Sequence, residues 1–403
     1  MKQRIPMEKK KMRILLFGFI NMNSMDGSAV FMSSLASVLA QDPNIEVDLL
    51  LARPPVRDIL LQPLMEQQNI RIINPYEDPY FIAKSPKWIH DQMIDFDSAQ
   101  SLISHYWDKY HYDWLFVRSL ETAEKLIKQL HILKRTFIYA TGLTHKGQHM
   151  NDGQYSRIKK LYDHCAYFLC QTKEMKDYTI NKLKLHKENN RIAILSPMIP
   201  DAEIGQNPSM SGQRLVYTGK FDPDWKTLQI ITAFKEAKRK IPGITLDVAG
   251  DKFKHDKSNP LFKKSATYLL QHTTGLTWHG ALSRHDAQQL IIQSDVGITW
   301  RSEEMDTSLE LSTKLLEYGI CKKAVIMNPT SMHIRLFGED YPFYAVTEKE
   351  FRDAIEKAFS SREHYIFAAE RMYETSRRFT YKEVLKELQP LLWSKDIKNA
   401  VNC

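Results

Sequence analysis

Cysteine is scarce and unpatterned in this chain of 403 residues. Cys165, Cys170, Cys321 and Cys403 have no paired metal spacing and read as buried free thiols of a reducing compartment. No apolar stretch approaches the ~20 residues needed to span a bilayer. There is no internal repeat and no low-complexity tract. Glycine is thin where a dinucleotide site would need it. The loop INMNSMDG after the first apolar run lacks G-x-G-x-x-G, which excludes an NAD-type dehydrogenase. The net charge of +8 is concentrated, with six Lys or Arg among the first thirteen residues. Charge placed there, and not striped along a helix, argues against a nucleic-acid-binding protein. The basic arm followed by MRILLFGFI imitates a signal peptide. The apolar run is short, has no small-residue cleavage site, and flows into a polar loop and a helix. The arm reads as a solvated tail whose charge also permits contact with an anionic membrane surface. The chain is expected in the cytoplasm, free or peripheral on the inner face of the membrane.

The composition, 43% hydrophobic and 26% charged, is that of a globular protein, and the length fits two domains. Apolar runs suited to buried parallel strands alternate with helical patterns through the first half, including MRILLFGF, IEVDLLLA, YDWLFVRS, RTFIYATG and AYFLCQT. Helices are expected over 57–68, 97–110, 119–133, 154–164 and 173–186, with an irregular aromatic loop from Asp78 to Asp97. A Pro-, Gly-, Ser- and Asn-rich linker follows, and the alternation restarts at RLVYTGK. Helices are then expected over 227–240, 260–271 and 284–294, and three terminal ones over 348–359, 362–377 and 381–393. The expected division is 1–200, a linker 201–212, and 213–380, with the last helix packing back on the first domain. Two doubly wound α/β domains facing each other put a ligand in the cleft beyond the carboxyl ends of both sheets.

The most informative stretch is RSEEMDTSLELSTKLLEYGICKKAVIMN, residues 301–328. Leu311, Leu315, Leu316 and Ile320 have helical spacing, so a helix is expected from near Glu310. Its start would offer backbone N–H groups and the Ser312 and Thr313 hydroxyls to an anion, or simply cap itself. Glu310 and Glu317, seven residues apart, would share one helix face and could hold hydroxyl groups.

TKLLEYGICKKAVI resembles the donor-site helix of retaining glycosyltransferases of family 4, which have the GT-B fold. The match implies that Glu317 takes the ribose hydroxyls and that Lys314 is a donor-site lysine. The family's first glutamate falls on Leu309, and Glu310 lies one residue out of register. YTGKFDPDWKTLQIITAFKEA resembles the element whose two cations hold the nucleotide diphosphate, here Lys220 and Lys226 after Gly219. In LTWHG, Trp278 stands where the family lets the base stack; the alternative is a half-buried aromatic. In the first half, INMNSMDG fills the place of the glycine-rich loop, bringing Asp26 and Gly27 to the sugar and acceptor, although Asp-Gly-Ser is equally a turn and helix cap. ATGLTHKGQ resembles the loop that carries a histidine near the reacting sugar, here His145. Arg118, ending a strand, would meet acceptor or phosphate, or form a salt bridge.

The implied function is transfer of a sugar, with retention, from a nucleotide-diphosphate sugar to a hydroxyl of a glycan, lipid-linked or small-molecule acceptor. A UDP-sugar is the expected donor, and neither a cofactor nor a metal is expected: the SEEMD cluster has no fixed ligand spacing. The alternative is a non-catalytic GT-B protein that binds a glycan or a partner. Leu309 in the glutamate position, the divergent SPMIPD segment and the single-glycine loop permit that second reading.

Overall fold

A computed structural model describes residues 11–84, 92–140, 150–186, 191–202, 210, 212–254 and 259–394. Among them, twelve strands form two parallel sheets. The first sheet contains β1 (Met12–Gly18), β2 (Ile45–Leu50), β3 (Ile70–Ile73), β4 (Trp114–Arg118), β5 (Thr136–Tyr139), β6 (Tyr167–Cys170) and β7 (Ile192–Ile194), in the order β3-β2-β1-β4-β5-β6-β7. The second contains β8 (Arg214–Thr218), β9 (Thr245–Ala249), β10 (Leu276–Trp278), β11 (Val296–Thr299) and β12 (Ala324–Met327), in the order β10-β9-β8-β11-β12. β1 is apolar almost throughout because it is covered on both faces. Ile14 and Leu16 enter one core layer, while Leu15 and Phe17 enter the other. The strand order reverses between β1 and β4 in one sheet and between β8 and β11 in the other, and such points open a crevice at the carboxyl edge.

The helix Tyr381–Leu392 belongs to the first half by packing. Val384, Leu385, Leu388 and Leu392 enter the core beneath β1, and Trp114 Nε1 donates to the Leu392 carbonyl at 3.1 Å. The chain crosses back where Ile199 pairs with Thr380. Most of the expected linker lies outside the described residues. Cys165, Cys170 and Cys321 are buried free thiols, and Cys403 lies outside the described residues. No described helix is long and apolar enough to cross a membrane.

Several expected helices differ. The segment 57–68 contains only Gln62–Met65, begun by Pro63. The expected 119–133 helix breaks into Leu120–Lys125, a 3-10 turn and Leu130–Leu133, because Gln129 leaves the helical region at φ −134°, ψ 68°. The aromatic loop holds a short helix, Pro79–Lys84. The helix expected from near Glu310 starts at Thr313, with Ser312 at its N-cap. The cause is tertiary. Leu311 N donates to Gln171 Oε1 at 2.7 Å, and Thr172 Oγ1 donates to the Leu309 carbonyl at 2.7 Å. These bonds to the first half hold 309–311 outside the helix, so Glu310 and Glu317 do not share a helix face.

Candidate active site

Both halves line one cavity of about 630 Å³ at the carboxyl ends of β1, β4, β5, β8 and β9. On the first-half wall, Asp26 caps the helix Gly27–Ala40, accepting from Ser28 N at 2.9 Å and Ala29 N at 3.1 Å. Its other oxygen pairs with Lys252 across the cleft. Thus the capping and cleft-facing readings of Asp26 coexist, with Gly27 beside it on the wall. Arg118 is the last residue of β4, with its guanidinium over the Phe31 ring at 5.5 Å. Its Nε is buried and has no hydrogen-bond partner among the described residues. Burial pulls its pKa below the ordinary arginine value, while Tyr139, Glu310 and Asp26 oppose that descent. Glu310 therefore faces the Arg118 side of the cleft and lines the cavity from there.

The opposite wall is built from close backbone approaches. Gly219 has φ +124° and Gly250 has φ +145°, both in the region that favours glycine. A Cβ on Gly250 would stand 1.9 Å from the Gly219 carbonyl oxygen, so only glycine lets these two strand ends touch. Lys220 lines the cavity with its Nζ 3.2 Å from Asp222 Oδ2. Lys314, in the first turn of the helix Thr313–Ile320, lies over Tyr217 at 4.2 Å and Trp225 at 4.4 Å. Its Nζ is buried and makes no hydrogen bond among the described residues, although the stem keeps some surface. Burial and then the Lys220 charge push its pKa down to about 7, against the pull of Glu317. Ser312 and Thr313 line the cavity beside it, and the Ser312 side chain makes no capping hydrogen bond. Arg301, 4% exposed, adds a further cation at 3.4 Å from Asp306.

Glu317 also lines the cavity, and its Oε1 accepts from Arg284 Nη2 at 2.8 Å. Two expected residues lie elsewhere. Lys226, expected beside Lys220, donates to the Val346 carbonyl at 3.0 Å and stacks on Trp300 at 3.8 Å. It takes φ +45° at the start of the helix Thr227–Lys240, which turns its side chain off the cavity wall. Trp278 does not line the cavity. Its Nε1 donates to the Gly250 carbonyl at 2.8 Å and its ring packs edge-on against Phe221 and Phe253, so it braces the glycine turn instead of offering a stacking face. His145 lies outside the described residues.

Sequence reasoning missed Gly250, Lys252, Arg284 and Arg301. The glycine directly after β9, in the stretch VAGDK, was the one local signal. Nothing near Arg284 in LSRHD marks it, because its partners come from distant segments. Among the described residues no group of three His, Cys, Asp or Glu side chains converges as a metal-holding set.

Two parallel doubly wound sheets facing across a cleft, with the cavity at both carboxyl edges, define a GT-B fold. Solved structures of that fold superpose on nearly the whole chain. HepE from Anabaena, in complex with UDP and glucose, aligns at TM-score 0.67 with 12% identity over 95% of this chain and all of its own. The pneumococcal O-GlcNAc transferase GtfA, in complex with UDP and GlcNAc, aligns at 0.68 with 10% identity over 98% and 100%. Sucrose-phosphate synthase from Thermosynechococcus elongatus aligns at 0.68 with 11% identity over 97% and 100%. No protein-family model matches the sequence, and no curated protein matches it either.

Proposed function

We propose that this chain is a glycosyltransferase that moves a sugar, with retention, from a nucleotide-diphosphate sugar to an acceptor hydroxyl. The observation that carries the reading is Lys314. A buried ammonium without a hydrogen-bond partner among the described residues is costly, and it sits with Lys220 at a helix N-terminus in a cavity lined by both halves. A diphosphate is the anion that suits two converging cations and a helix start. The GT-B neighbours solved with UDP make a UDP-sugar the favoured donor.

In this reading Glu317 accepts the ribose hydroxyls, and Lys220, Lys314 and the amides at Ser312 and Thr313 hold the diphosphate. The sugar C1–O bond to the phosphate breaks as the acceptor oxygen bonds C1 on the same face. The acceptor proton passes to the departing phosphate oxygen. Fixed cations stabilise charge on that oxygen as it develops, in place of a divalent ion. Asp26, Arg118 and Glu310 face the acceptor side, which takes a glycan, lipid-linked or small-molecule hydroxyl. The opposed walls exclude water from the reacting carbon.

The test is a thermal-shift screen of UDP-, GDP- and ADP-sugars, followed by turnover of the labelled donor that binds. A shift with one nucleotide class and slow sugar release without acceptor are expected. Binding without any turnover would establish the non-catalytic reading instead, and no shift with any donor would overturn both donor assignments.

A further inference from the structure

Arg284 opens the helix Arg284–Gln293 in the second half, yet two of its partners belong to the first-half core. Nη2 donates to Glu317 Oε1 at 2.8 Å. Nη1 donates to Ser34 Oγ, on the helix Gly27–Ala40, and to Tyr381 Oη at 2.6 Å, on the helix Tyr381–Leu392. The donor and acceptor roles close without conflict. Tyr381 Oη accepts from Arg284 and donates to Ser34 Oγ at 3.3 Å, and Ser34 Oγ donates onward to the Val30 carbonyl at 2.7 Å. Ser34 is 1% exposed, the Arg284 side chain 16% and the Glu317 side chain 26%. The guanidinium is thus a planar fork with one prong on the second half's carboxylate and the other on two helices of the first half.

We infer that Arg284 is the positioning residue for ribose recognition, and that it makes this recognition conditional on the seating of the first half. The inference rests on the assignment of Glu317 to the ribose. A carboxylate offers about four acceptor sites. With Oε1 committed to Arg284, the carboxylate rotation is set and the remaining sites face the cavity that Glu317 lines. The guanidinium holds that rotation only while Ser34 and Tyr381 hold the guanidinium. When the halves part, Nη1 loses both partners, and the carboxylate loses its fixed orientation. By linkage, a donor that engages Glu317 favours the seated arrangement by the same factor.

The test is calorimetric binding of UDP and of 2′,3′-dideoxy-UDP, with GDP and ADP in parallel, to wild type, E317A, R284M, S34A and Y381F. Neither Ser34 nor Tyr381 lines the cavity, so a purely structural role would lower melting temperature without changing discrimination between the two nucleotides. The wild type should prefer the ribonucleotide by about 10-fold or more, the scale of a hydrogen bond to a charged group. E317A and R284M should bring that ratio to within about 2-fold of unity, and S34A and Y381F should shrink it while dideoxy-UDP affinity holds. An unchanged ratio in R284M, or in both S34A and Y381F should R284M not fold, overturns the role of Arg284. An unchanged ratio in E317A overturns the ribose assignment itself. Failure of every nucleotide to bind the wild type overturns the donor reading and this inference with it.

Discussion

Replacing Lys314 by methionine should stabilise the protein alone and cripple it with donor. The ammonium is driven from the ordinary lysine value of 10.5 to about 7 by burial first and Lys220 second. That descent corresponds to about 4–5 kcal/mol of unfavourable charge burial, an order-of-magnitude figure. The sign follows from proton counts. Between pH 7 and 10 the unfolded lysine holds a proton that the folded one has released, so this group adds stability as pH rises and withdraws it as pH falls. Below pH 7 the full penalty is present, and at pH 7 most of it. Methionine keeps the stem's length and gives up the ammonium's contacts over Tyr217 and Trp225, a loss of about 1–2 kcal/mol that is smaller than the burial penalty it removes, so the melting temperature of K314M at pH 7 should rise and its slope between pH 7 and 9 should flatten. A bound diphosphate would restore the ammonium. At pH 8 the free protein has released most of that proton, so binding should take up the larger part of one proton. Calorimetry of UDP binding in buffers of different ionisation enthalpy measures that number directly. K314M should lose the uptake and about 100-fold or more in turnover, the scale of one lost charge contact in the transition state. Zero uptake in the wild type at pH 8, or K314M with wild-type turnover, would refute the reasoning.

Other perturbations separate site from scaffold. Glu317→Ala should weaken UDP binding by about 10-fold by calorimetry and lower the melting temperature, since it also strips Arg284 of its carboxylate; normal binding removes Glu317 from the ribose. Lys226→Met should cost about 1 kcal/mol in urea unfolding from the lost contacts to Trp300 and Val346, with turnover within several-fold of wild type. A loss of several orders of magnitude would return that lysine to the phosphate site. Gly250→Ala forces a Cβ against the Gly219 carbonyl and should destabilise by more than about 2 kcal/mol; a wild-type urea midpoint would contradict that close approach.

Much of the architecture was legible because it is local. Alternation of strand and helix patterns placed both sheets, and the helices Thr227–Lys240, Glu348–Ser360 and Arg362–Ser376 fall within a residue of their expected ends. Their apolar spacing needs no distant partner, nor do the caps of the last two, as the Thr347–Glu350 capping box and Ser361 show. The stretch around Lys314 and Glu317 stood out for the same reason: one turn of helix carries both groups. Glycine at 219 followed by Lys220 was likewise readable as a strand end.

What the sequence determined by itself was therefore the alternating layers and the helix that presents Lys314 and Glu317. The tertiary structure decided which groups reach the cavity, and from which side. Gln171 and Thr172 hold 309–311 outside the helix and carry Glu310 toward Arg118. Trp300 and the Val346 carbonyl draw Lys226 away, while the Gly250 carbonyl fixes Trp278 edgewise. Arg284 joins residues 34, 317 and 381 through one guanidinium. Periodicity encodes which face of an element is apolar. It carries no information about a hydrogen bond between side chains hundreds of residues apart, which exists only once two sheets have closed on each other.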